Sequence, residues 1–355
     1  MAFEIKILDE ATEGEYEALL SAAPSAMFNH SIRYRNFLRR VLPEAKDHYF
    51  LAYRDGEIVA ALPTFSRAGP LGLVVNSLPF YGSHGGVVVR EGYGLEVKIA
   101  LLSALREHCV EIGAVLSTVI EPSLNDERES YSTLQADYFD DRIGQITVLP
   151  SAQSEDVGAE LLALYHQKTR NLVRKGLKGG FRVSHTGSRQ AFHDLQAMHE
   201  QNMRAIGGVA KPREVFDAIV DEFQYGYDFR IYLAYKGDHL AAALLVFYFK
   251  DFVEYFTPAT AENYRSGQPL SLLIFLAMKD AVIERSAKSW NWGGTWLSQD
   301  GVYHFKSRWG TKDHPYRYYV TKYGDDIDLS EIRKSQLIGG YPYFFTFPFR
   351  LLAPE

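Results

Sequence analysis

The sequence predicts an α/β chain (α+β in the mixing of its strands) built from two similar lobes, each a mixed β-sheet flanked by helices. Three observations predict it. A fifteen-residue segment recurs, the same order of elements follows each copy, and 355 residues are more than one ordinary core organises.

The two copies are Leu51–Phe65 and Leu233–Phe247, 182 residues apart, and they are identical at seven of fifteen positions. Each reads as a β-hairpin. Tyr53 and Tyr235 close the first strand, and Asp55-Gly56 and Gly237-Asp238 supply the positive φ of a tight turn. Ala60-Ala61 and Ala242-Ala243 leave room for a close neighbour on the second strand.

A Gly-rich strand region at Leu78–Val89 is expected after the first hairpin, then a helix and a strand at Val115–Ile120. That helix shows an apolar face of Leu95, Ile99, Leu102, Leu105, Cys109 and Ile112, spaced by three or four. After the second hairpin come a strand at Phe252–Pro258, a helix at Leu270–Glu284 that is apolar nearly all round, and a strand at Ser289–Trp292. The predicted division is a first lobe at 1–150, a second at 151–325 and a C-terminal segment at 326–355. Ser154-Glu-Asp at the junction reads as a helix N-terminus. The aromatic tail Gly339–Phe349 contains prolines that forbid a regular helix, and it is expected to pack on protein, peripheral membrane contact being the alternative.

Composition narrows the function classes. At 46% hydrophobic and 23% charged the chain can bury a full core and needs no metal staple. Its one cysteine, Cys109, cannot form an internal disulfide or a thiolate metal site, which fits a reducing cytoplasm. On the apolar face of a helix it reads as core, not nucleophile. No basic-then-apolar leader opens the sequence, and no run of eighteen apolar residues predicts a membrane span. With a net charge of −6, any nucleic-acid contact must be local.

Four segments then matter together: Lys168-Thr-Arg-Asn-Leu-Val-Arg-Lys-Gly-Leu-Lys-Gly-Gly-Phe-Arg-Val183, Tyr264-Arg-Ser-Gly-Gln-Pro-Leu270, Trp292-Gly-Gly-Thr295 and Gly301-Val-Tyr-His-Phe-Lys-Ser-Arg-Trp-Gly310. In this order they resemble the FemABX family, most strongly across residues 160–320. The resemblance implies two tandem GNAT-like lobes with a cleft between them, the second on the acyl-donor side, and a C-terminal segment returning to the first lobe. It also implies transfer of an aminoacyl group from a charged tRNA to an amine on a cell-envelope, peptidoglycan-type precursor. No resident cofactor is expected, since aminoacyl-tRNA is a substrate. The long helical-hairpin insertion of some members is missing, so the chain is similar to the compact ones.

Acyl transfer to an amine needs a neutral amine, a stabilised acyl oxygen and two substrates held close. By resemblance Phe305 and Lys306 line the donor site, the Lys306 ammonium stabilising the acyl oxygen or a nearby phosphate. They are read here as strand residues. Tyr255 sits where the family has a cleft tyrosine. Its neighbour Glu254 faces the other way on a regular strand, and is either a buried base or a solvated carboxylate. Lys168, Arg170, Arg174 and Lys175 open a basic run that continues through Lys178 and Arg182 without an acidic residue. The run is a solvated face or a contact for tRNA or an anionic acceptor. Arg33 and Arg35 in the first lobe and Arg213 in the second are candidate acceptor-phosphate ligands, and His84, in the glycine-rich stretch 79–86, a candidate contact. Arg265 opens a loop whose Pro269 removes an amide that a CoA pyrophosphate cradle would use. The competing readings are acyl-CoA-dependent N-acylation of an amino sugar or other small amine, and a binding protein that kept the scaffold without turnover.

Overall fold

The computed structural model describes residues 3–80, 84–122, 128–324 and 329–353. Part of the expected glycine-rich surface, 81–83, lies outside the described residues.

The chain opens with β1 (Glu4–Ile7), α1 (Glu13–Ala22), α2 (Ile32–Val41), β2 (Lys46–Arg54), β3 (Glu57–Gly69), β4 (Gly72–Asn76) and β5 (Val88–Val89). It continues through α3 (Leu95–Glu111), β6 (Ala114–Ile120), α4 (Arg128–Ser132), β7 (Tyr138–Val148), α5 (Val157–Leu164), α6 (Gln167–Lys178) and β8 (Arg182–Thr186). Next come α7 (Arg189–Ala205), α8 (Arg213–Glu222), β9 (Phe229–Lys236), β10 (His239–Phe249), β11 (Phe252–Thr260) and α9 (Pro269–Arg285). The last elements are β12 (Ser289–Trp296), α10 (Asp300–Ser307), β13 (Thr311–Lys322) and α11 (Lys334–Gly340).

Two compact units result, one of Met1–Ile143 with His314–Glu355, the other of Gly144–Asp313. The sequence placed the second boundary near residue 325. The difference arises because β13 pairs antiparallel with β6, Tyr318 opposite Ile120, so its ladder hydrogen bonds hold it in the first unit.

The two hairpins are equivalent down to their register. Ala52 faces Ala60 and Leu51 faces Ala61, with a bulge before Tyr53 pairs with Ile58. At the same offset Ala234 faces Ala242 and Leu233 faces Ala243, with a bulge before Tyr235 pairs with Leu240. In each unit an antiparallel third strand follows, then a 17-residue helix (α3 or α9), then a strand parallel to the third. Asp55, Gly56 and Gly237 have the positive φ that these turns need.

Some local expectations shift. The strand after the first hairpin is β4, upstream of the Gly-rich stretch. Leu78 and Phe80 take positive φ there, and among the described residues of the stretch Val88–Val89 pairs with β3. The buried face of α3 is Val97, Leu101, Leu102, Leu105 and Cys109, while Leu95 is exposed. Asp156 caps α5, its side chain accepting from the Ala159 amide. The second core collects α9 residues Leu273, Ile274, Ala277, Met278 and Ala281 with Trp290, Trp292 and Trp309. Gly176 lets α6 press on the first turn of α9, since a Cβ there would sit 2.8 Å from the Gln268 carbonyl and 2.9 Å from Leu272. In the first unit the tail packs Leu337, Tyr341 and Phe347 on Val74, Leu116 and Val320.

Candidate functional site

The site grows out of a gap in the second sheet. β11 and β12 run parallel and register at three positions only, Phe252–Ser289, Val253–Trp290 and Glu254–Asn291. Beyond these the strands part, although β11 stays paired with β10 as far as Thr260. In the first unit the corresponding strands, β4 and β6, register to the end of β4 at Asn76–Thr118, and the Ser77 hydroxyl takes up the next amide, that of Ile120. Only the second unit opens.

Glu254 stands where the strands separate. Asn291, fully buried, donates to Glu254 Oε2 at 2.6 Å and accepts from the Gly293 amide at 3.0 Å. The other carboxyl oxygen has no protein partner among the described residues. Burial pushes the carboxyl up to about 8, against the lowering effects of the Asn291 bond and the Lys306 charge. A carboxyl held near neutrality can take a proton at one pH and return it at another.

Tyr255 follows on the opposite face. Its ring lies 4.9 Å from Trp292 and 6.3 Å from Trp290. Its hydroxyl makes no hydrogen bond to protein among the described residues, and burial pushes its pKa up, so it stays a neutral donor.

Phe305 and Lys306 lie on a helix, α10, not on the expected strand, so the requirement that they face opposite sides falls away. Phe305 is 40% exposed, its ring edge-on to Trp292 at 6.0 Å and to Trp309 at 6.3 Å. Lys306 is buried. Its ammonium donates to the Gly293 carbonyl at 3.2 Å, the Gly294 carbonyl at 3.1 Å and Thr295 Oγ1 at 2.8 Å. Burial pulls the ammonium down to about 8 while the Glu254 charge favours it.

The basic run forms α6 and the start of β8. Thr169, Val173 and Gly176 face inward. Asn171, Arg174, Lys175 and Lys178 face out at spacings of three and four, and with Gly179 and Gly267 they line a cavity of about 550 Å³. Lys168, Arg170, Arg174, Lys175 and Lys178 form no ion pair among the described residues, whereas Arg189, Arg204, Arg213 and Arg230 of the same unit all do. Arg265 is exposed in the loop before α9, and Pro269 occupies the first turn of that helix.

The remaining candidates have other surroundings. Arg35 is buried and fixed by Asp47 at 2.6 Å and Glu13 at 2.9 Å, so its guanidinium braces α2 against β2 and α1. His84 is buried, and burial lowers its imidazole to about 3, which keeps it uncharged. Arg213 is exposed, its guanidinium on His193 at 2.9 Å with Asp217 at 3.8 Å. Arg33 is half-buried on α2. Of the predicted set, the structure brings together Glu254, Tyr255, Phe305 and Lys306. Thr295, quoted from the sequence only as the end of Trp292-Gly-Gly-Thr295, joins them, and so does Asn291, which was not foreseen; the one available signal for it was an amide in the otherwise aromatic run Trp290-Asn-Trp292. Among the described residues no cluster of His, Cys, Asp and Glu is built to hold a metal, and no helix is long and apolar enough to cross a membrane.

Residues 165–307 match the acetyltransferase (GNAT) domain family. No curated protein matches the sequence significantly. Solved structures with a similar fold include FemX, at 15% identity and a TM-score of 0.70, covering 88% of this chain and 96% of that one. A tandem GNAT protein from the clavulanic acid biosynthesis pathway matches at 12% identity and a TM-score of 0.55, over 92% of this chain and all of that one. The C-terminal domain of a putative lysylphosphatidylglycerol synthetase from Agrobacterium fabrum matches at 11% identity and a TM-score of 0.54, over 88% and 92% of the two chains. The chain thus has the fold of FemX and of a tandem GNAT protein, and its residues 165–307 match an acetyltransferase (GNAT) domain.

Proposed function

We propose that the chain is an N-acyltransferase that passes an aminoacyl group from a charged tRNA to a primary amine on a cell-envelope precursor. The observation that carries the acyl-transfer reading is the parting of β11 and β12 directly beyond Glu254 and Asn291, with a near-neutral carboxyl at the fork and, on the other face of β11, a Tyr255 hydroxyl that has no protein partner among the described residues. The amine attacks the ester carbonyl carbon and its proton passes to Glu254. The acyl oxygen gains charge, which a neutral phenol donor stabilises. The ester C–O bond then breaks, and the proton held by Glu254 goes to the leaving oxygen, so the carboxylate is regenerated.

The tRNA reading is supported by the ion-pair-free face of α6, which suits phosphodiesters in a chain of net charge −6. The second reading, an acyl-CoA donor, is favoured by the acetyltransferase match over 165–307 and disfavoured by Pro269, which leaves one amide fewer at the start of α9. The test offers the purified protein charged tRNAs and acyl-CoAs separately, each with amine acceptors, and scores amide product. Product with charged tRNA alone is the expected result. Product with acyl-CoA alone would replace this reading by the second.

A further inference from the structure

We infer that Asn291 is a positioning residue, which engages Oε2 of the Glu254 carboxyl so that Oε1 is the atom that takes up and returns the proton. The inference rests on the acyl-transfer reading for the source of that proton, and on the geometry of the second unit for the rest.

A carboxamide donates through its nitrogen and accepts through its oxygen, and its other bonds set which end faces a neighbour. Here a backbone N–H decides. The Gly293 amide can only donate, and it reaches Asn291 Oδ1 at 3.0 Å. Nδ2 is therefore turned to Glu254 Oε2, at 2.6 Å. Asn291 has little freedom to turn away. It is fully buried, its chain neighbours Trp290 and Trp292 are buried as well, and the Trp292 indole donates to Thr147 Oγ1 at 3.0 Å. Glu254 and Asn291 are the last registered pair of β11 and β12, so their side chains share one face of the sheet.

One carboxyl oxygen is thus occupied in both protonation states. Oε2 faces a donor, so the proton of the neutral acid belongs on Oε1, which has no protein partner among the described residues. In transfer, the amine proton passes to Oε1 as the C–N bond forms, and from Oε1 to the ester oxygen as the C–O bond breaks. The same hydrogen bond acts on the charge. A donor on Oε2 favours the carboxylate against the burial that raises it, as the Lys306 ammonium of α10 also does. Elsewhere on α10, the His304 ring lies 5.5 Å from that of Tyr303. α7 packs on β11 with His199, which burial lowers to about 4, and the chain beyond α7 brings the Lys211 ammonium to 5.1 Å from the Phe256 ring. α9 packs on β11 too, with Glu284 paired to Arg230 and Asp280 bonded to Tyr232.

The test reads the Glu254 carboxyl in the free, full chain, by carboxyl-carbon NMR of isotope-labelled glutamate, the resonance being assigned by its loss in Glu254→Gln. In Asn291→Ala the titration midpoint is expected to rise by at least ~1 pH unit, because a hydrogen bond to the charged form is lost. Asn291→Asp keeps the shape and the bond from Gly293 but sets an acceptor against Oε2. The two carboxyls then share one proton, and the single step near pH 8 is expected to become two, one of them far higher. In turnover, the rising limb of the pH–rate profile should move with the carboxyl midpoint, so that Asn291→Ala loses at least ~10-fold at about pH 7 and regains most of it by about pH 10. An unmoved midpoint in both variants overturns the proposal. So does an equal fall in turnover at every pH, the mark of a merely structural role. If no donor supports turnover, or Glu254→Gln is fully active, the acyl-transfer reading of Glu254 fails, and the carboxyl titration alone decides the role of Asn291.

Discussion

Glu254 shows how a single backbone register sets chemistry. It is the last residue of β11 registered with β12, so one carboxyl oxygen is tied to Asn291 and the other has no protein partner. Burial pushes its carboxyl up to about 8 in the folded protein, above the 4.5 of a free glutamate. For an acid raised by burial the protonated form is the one the fold favours. Its stabilising effect is complete below pH 4.5 and is lost as pH climbs to about 8. The Glu254→Gln variant is therefore expected to match the parent in thermal stability near pH 4 and to exceed it at pH 9. Its activity should fall by about 10²- to 10⁴-fold, and the rising limb of the pH–rate profile near pH 8 should disappear, as expected on removing a general base. Thermal melts across pH and initial rates on the same samples check both statements.

Helix α6 is the element with the most distinct electrostatics. Its inner residues are small or branched, and Gly176 brings it onto α9. Its outer positions carry cations that no carboxylate neutralises among the described residues. Reversing Arg174 and Lys178 to Glu together is expected to weaken binding of charged tRNA at least ~10-fold at low salt and to flatten its salt dependence by about two counterions. Thermal stability should change by less than ~1 kcal/mol, because both side chains are exposed. A filter-binding titration at several salt concentrations checks this, and an unchanged slope would assign the face to solvent.

At the scale of the molecule, duplication gave two units with one topology, and they have diverged in how the last two strands meet. The first unit keeps β4 and β6 registered and covers its sheet with the C-terminal segment. Tyr341 anchors that cover. Its hydroxyl donates to the Gly72 carbonyl and accepts from the Leu71 amide, each at 2.8 Å, and a Cβ on Gly69 would meet its ring at 2.4 Å. Tyr341→Phe removes both bonds and should cost about 1–3 kcal/mol, while Gly69→Ala should cost more because the buried ring must move. Chemical denaturation of the two variants gives the order directly. The same experiment on Cys109→Ala serves as a comparison, since that thiol is buried on α3 and burial pushes it up to about 12.

The sequence by itself determined what depends on neighbours close along the chain. Turn residues at Asp55-Gly56 and Gly237 fixed the hairpins, a spacing of three and four marked α3, and an apolar circumference marked α9 as buried. The 182-residue repeat then made the two-unit plan readable, because a duplicated register keeps its bulge and its alanines. It also pointed to Glu254, Tyr255, Phe305 and Lys306 as a set. Only the tertiary structure decided what surrounds each of them. That α10 is a helix, that Arg35 is locked between Asp47 and Glu13, and that β13 pairs with β6 all follow from partners remote in sequence. The opening of β11 from β12 is decided in the same way. Strand periodicity sets which face a side chain takes, but whether two strands stay paired depends on the hydrogen-bond partners that each edge meets in the folded chain, and β11 stays paired with β10 where it has left β12.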